Sequence, residues 1–130
     1  MQTDIKALLA NSMAECELSS RLTNRLLAVR GWATEHPNLR GQGITQIGDQ
    51  YGLITITFTA EGFPRLKTPS YLWENCDGVI TLERYDWTIQ PFGDWEVIPT
   101  GPESLRVLVA LDKDLDGFIE RHRHRLAKRQ

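Results

Sequence analysis

The sequence predicts an α+β domain in which N-terminal helices and a C-terminal helix pack on an antiparallel sheet of four to six strands. Three observations lead there. Apolar residues recur at three- and four-residue spacing up to about Glu35, apolar and polar residues alternate through the middle of the chain, and the closing segment is basic, as a helix end favours. The length of 130 residues with 41% apolar content fits one domain, residues 1–130, around one core.

The first helical stretch begins where Thr3 or Asp4 caps the opening turn, and Ile5, Leu8, Leu9 and Met13 follow at helical spacing. Ser19 or Ser20 is placed to cap a second segment carrying Leu22, Leu26, Leu27 and Val29, so either one helix or two fits. His36-Pro37-Asn38 ends the stretch, because a residue before proline is driven out of the helical region.

The segment GQGITQIGDQYG reads as turns around a short strand. Its glycines match neither GxGxxG nor GxxxxGK, and they follow a helix where a nucleotide loop would follow a strand. From Tyr51 to Thr59 the alternation is regular, with Ile54, Ile56 and Phe58 on one face and Thr55, Thr57 and Thr59 on the other. That is a half-buried strand. Residues 61–78 hold prolines and glycines and read as a long connection with one helical turn near Ser70 to Asn75. VITLER, YDWTIQ and WEVIP then read as strands, the last two joined at Phe92-Gly93-Asp94 into a hairpin. Pro91 and Pro99 bracket that hairpin and make its outer strand an edge.

Composition narrows the function classes. A formal charge of -2 creates no broad field for nucleic acid or an anionic bilayer. The start, MQTDIKALLA, lacks a basic region followed by an apolar block, and no window is apolar enough to span a membrane, so a cytoplasmic location is expected. Cys16 and Cys76 lack CxxC spacing and are expected to be buried or incidental thiols.

One stretch suggests a chemistry. Asp112, Asp114, Asp116 and Gly117 fall at positions one, three, five and six of a short loop, Phe118 offers a carbonyl at seven, Ile119 is the apolar eighth residue, and Glu120 stands at nine. Alternate carboxylates converge when such a loop wraps an ion, and the glycine allows the sharp turn. Locally, Asp112 to Arg123 resembles an EF-hand-type calcium loop. The resemblance implies calcium held by Asp112, Asp114, Asp116 and Glu120; because Arg123 stands where that family has its bidentate glutamate, it implies a weak site completed by water. The competing reading needs no metal: LRVLVAL, residues 105–111, is a strand, and the aspartates cap a final helix whose far end carries Arg121, Arg123, Arg125, Lys128 and Arg129. Pro102 and Glu103 suit a helix start instead, which would make 105–111 helical.

Other chemistries have less behind them. His122 and His124 stand about 200° apart on a helix and read as solvated surface. No histidine is placed by sequence beside Cys76, and no GxSxG, HExxH or Walker pattern occurs. Glu83, Asp86, Asp94 and Glu96 read as solvent-facing charges. Trp87 and Trp95 are expected to meet across the hairpin, either packing beneath the helices or forming, with Tyr71, Trp73 and Tyr85, an aromatic patch for a partner. The sequence thus predicts a small non-enzymatic regulatory or interaction protein with a protein partner, calcium-binding through residues 112–120; the alternatives are a metal-independent adaptor or inhibitor using an aromatic surface and, third, a small enzyme.

Overall fold

The structure, a computed structural model, describes residues 4–49 and 53–128. Thr3, Tyr51 and Arg129, which figure in the expectations above, lie outside them. Among the described residues two helices pack on one face of a sheet: α1 (Ile5–Ala28) precedes and α2 (Pro102–Lys128) follows strands β1 (Thr34–Glu35), β2 (Thr45–Gly48), β3 (Thr55–Phe58), β4 (Pro64–Lys67), β5 (Tyr71–Cys76), β6 (Val79–Asp86) and β7 (Asp94–Val97). The strands follow one another in chain order as a seven-stranded antiparallel sheet. The α+β class holds, with seven strands rather than four to six.

The N-terminal stretch is one helix, not two. Asp4 caps it by accepting from the Ala7 N–H at 3.1 Å, while Ser19, read as a cap, is buried mid-helix beside Leu22 and Leu26. The helix stops at Ala28, ahead of His36-Pro37, and a single 3-10 turn (Arg30–Trp32) leads into β1.

Residues 61–78 are the largest departure from expectation. Pro64 occupies the first position of β4, where its missing N–H does no harm, and Leu66 is buried between exposed Arg65 and Lys67. β5 then runs through the expected helical turn. Its link to β6 is a two-residue turn with both φ angles positive, Asp77 at 53° and Gly78 at 85°, the geometry that Asp-Gly favours in hairpins. VITLER and the start of YDWTIQ form the single strand β6, and β7 is the sheet edge, as its flanking prolines imply.

Register fixes the core. Ile56, Leu66, Trp73 and Leu82 lie side by side across β3 to β6 and face the helices. Against them α1 sets Leu22, Leu26 and Val29, and α2 sets Val107, Leu108, Leu111, Leu115 and Phe118. That spacing is helical, and the consecutive exposure of Val109 and Ala110 excludes the strand reading of 105–111. The helices run in the same direction. Ser104 donates to Glu15 at 2.8 Å near the start of α2, and Arg25 reaches Asp112 and Asp116 further along. No helix among the described residues is long and apolar enough to cross a membrane.

Candidate functional site

The DxDxDG segment lies inside α2, so the calcium-loop geometry expected from the sequence is replaced by a helix. At about 100° per residue, Asp114 points away from the face shared by Asp112 and Asp116. That face meets α1. Asp112 accepts from Arg25 at 2.6 Å and from Arg21 at 3.2 Å, and Arg25 also pairs with Asp116. Burial pushes the Asp112 carboxyl upward, but the hydrogen bonds and charges of Arg25 and Arg21 outweigh it, and it titrates below the usual carboxylate range. Asp114 lines a separate open cleft of about 460 Å³ with Asp49, Lys113, Gly117 and Arg121, and Glu120 is exposed.

Gly117 has a different use from the expected loop turn. A Cβ there would lie 2.9 Å from Nη1 of Arg121, whose guanidinium crosses this space to donate to the Asp49 carboxylate at 3.0 Å. Among the described residues, no three His, Cys, Asp or Glu side chains are grouped so as to hold a metal ion. The aspartate row is therefore neither a loop nor a cap. Asp112 and Asp116 belong to an interhelix seam, and Asp114 does not.

His36 and Cys76 line one cleft of about 270 Å³ with Thr57, Arg65 and Glu74, on the sheet face away from the helices. No hydrogen bond joins the thiol to the imidazole, whose Nδ1 accepts from the Asn38 N–H at 3.1 Å. Both cysteines are exposed, so of the two expected readings, buried or incidental, burial does not hold. His122, expected on solvated surface, stacks on Trp32 at 4.9 Å and on Phe118 at 5.7 Å.

The most developed surface feature is the turn between β6 and β7. The expected aromatic patch divides, because Trp73 points into the core and is fully buried, while Tyr71 is half-buried against it. Tyr85, Trp87 and Trp95 remain together. Trp87 and Trp95 do not meet directly; Tyr85 faces Trp95 in register, at 5.2 Å between ring centres, and touches Trp87 at 4.4 Å, both edge-on.

The turn is held at several points. The Tyr85 hydroxyl donates to the Phe92 carbonyl at 2.7 Å, the Gly93 N–H donates to Ile89 O at 2.6 Å, and Asp86 accepts from the Thr88 N–H at 2.8 Å and its hydroxyl at 2.6 Å. Those Thr88 bonds draw the Asp86 carboxyl below the usual range. Gly93 has φ +87°, and a Cβ on it would stand 2.7 Å from the Tyr85 ring, so the approach of ring to backbone requires glycine.

Two large apolar side chains stand on this frame, Trp87 at 75% and Phe92 at 83% exposure, with Ile89 and Val97 also exposed nearby. Asp86 and Asp94 flank them and have no ion-pair partner among the described residues. Of the carboxylates read as solvent-facing, Asp94 and Glu96 are exposed and Glu83 and Asp86 are half-buried; Glu96 also pairs with Arg84 at 3.5 Å, and Arg84 pairs with Glu103 of α2. The sequence pattern does not single out Phe92 as a surface residue; its exposure comes from its place in the turn before Gly93.

No family model, no curated protein and no solved structure matches this chain.

Proposed function

We propose that the protein is a non-enzymatic interaction module that docks a partner protein through the β6–β7 turn, with Trp87 and Phe92 as anchors. The observation that carries this reading is the pairing of extreme exposure with a fixed frame: two aromatic side chains held in water on a turn tied down by Tyr85, Asp86 and Gly93. Leaving such groups exposed forfeits about 2 kcal/mol each that burial would return. A pre-ordered turn lowers the entropy lost on docking. The unpaired carboxylates of Asp86 and Asp94 fit a partner segment with an apolar group beside basic residues.

This is the metal-independent adaptor reading. Calcium enters it nowhere, because Asp112 and Asp116 already serve Arg25 and Asp114 faces elsewhere. The test is affinity capture from the native extract with the parent protein and with Trp87→Ala/Phe92→Ala, each in calcium and in chelator. A discrete partner is expected with the parent in both buffers, and its binding should weaken at least about thirtyfold in the variant, as for loss of a central hot spot. Equal capture by both proteins, or capture abolished by chelator, would contradict the proposal.

A further inference from the structure

A second apolar surface lies on α1, away from the aromatic turn. Ile5, Leu9 and Met13 are 67%, 59% and 65% exposed, and with the exposed Ser12 and Cys16 they form a ribbon roughly 120° round the helix from the buried pair Leu22 and Leu26. The first contact between α1 and α2 that involves a side-chain hydrogen bond is Glu15 with Ser104, so these opening turns extend past the start of α2. Leu8 lies in line with the buried stripe and is still 48% exposed. Helices draw most of their stability from packing of an apolar face; here Ser12 and Cys16 border an open cleft with Gly78, Ile80 and Thr100, while Ile5, Leu9 and Met13 stay exposed among the described residues.

Charge placement says what covers it. Lys6 and Glu17 flank the ribbon on the same side, both exposed, and neither has an ion-pair partner among the described residues. Eleven residues separate them, about 16 Å along the axis, too far to meet on one helix. A second α1 laid antiparallel, with its two-fold axis between Asn11 and Ser12, sets Lys6 against Glu17 of its mate at both ends. In the same register Ile5 faces the neighbourhood of Cys16, and Leu9 faces Met13. Flanking charges of this kind set orientation in paired helices. We infer that α1 is a homodimerisation helix whose occupant is a second copy of this chain, packed antiparallel through Ile5, Leu9, Met13 and Cys16 in an isologous contact.

Sedimentation equilibrium from micromolar to several hundred micromolar tests this on the full chain. The parent should dimerise, Lys6→Glu and Glu17→Lys should each weaken dimerisation at least tenfold, and Lys6→Glu/Glu17→Lys together should restore it. All three leave exposed positions only, and circular dichroism verifies the fold. Orientation is read by oxidation in a Cys16→Ser/Cys76→Ser background. Ser12→Cys lies near the two-fold axis and should cross-link, whereas Ile5→Cys lies about 20 Å from its counterpart and should not. A monomer across the whole range, failure of the charge swap to restore association, or cross-linking through Ile5→Cys would overturn the inference.

Discussion

Gly93 shows how one backbone conformation sets the surface on which the functional reading rests. Its φ of +87° and the Tyr85 ring against its Cα leave no room for a side chain. Gly93→Ala should therefore cost about 1–3 kcal/mol in urea unfolding, and it should weaken partner binding because the Tyr85 to Phe92 tie is lost. Gly101→Ala is the control. A Cβ there meets nothing within 4 Å and the backbone is not left-handed, so a change within about 0.5 kcal/mol is expected. Equal costs at the two positions would remove the special place given to Gly93. Asp112 makes a related point, since the residue that the sequence offers as a first calcium ligand receives both arginines of α1. Residue types alone do not separate these roles, because a carboxylate suits a cation whether the cation is a metal or a guanidinium.

At the scale of elements, the two helices are joined by a polar seam beside an apolar one. Ser104 accepts from the Gly101 N–H at 2.9 Å and donates to Glu15, while Arg25 bridges Asp112 and Asp116. The seam gives stability a pH dependence whose sign follows from Asp112. Its carboxyl titrates lower folded than unfolded, so its contribution is fully present above the ordinary carboxylate pKa and is lost as pH falls through the folded value. Asp112→Asn should be less stable than the parent by about 1 kcal/mol at neutral pH, a figure held down by partial solvent screening. The gap should be flat above the ordinary carboxylate range and close as pH falls below it. Chemical unfolding at stepped pH measures it, and a gap that widened in acid would contradict the assignment.

The whole molecule shows which parts of a fold are legible before folding. α1, β3 and the edge position of β7 were readable because each follows one local rule: a cap with helical spacing, strict alternation, and flanking prolines. Residues 61–78 were not, since Pro64 reads as a breaker and is harmless only because it starts a strand, and the Asp77-Gly78 hairpin signal lies inside that same stretch. The conformation of the aspartate row is ambiguous in the sequence for a similar reason. Its spacing fits a loop, but Val107, Leu108, Leu111, Leu115 and Phe118 bury one helical face through it, and that apolar period decides the conformation. The aromatic surface was half legible: Tyr85, Trp87 and Trp95 gather as expected, while the register of β5 against β6 turns Trp73 inward opposite Leu82.

The reading stands or falls on what touches the β6–β7 turn in the native extract. A benzophenone amino acid placed at position 92, and separately at the exposed position 113 on α2, converts contact within a few ångströms into a covalent adduct on illumination. The account predicts a discrete adduct from position 92 that persists in chelator and disappears when Trp87→Ala is added, with no matching adduct from position 113. Adducts equal at both positions, or formed at position 92 only when calcium is present, would contradict it.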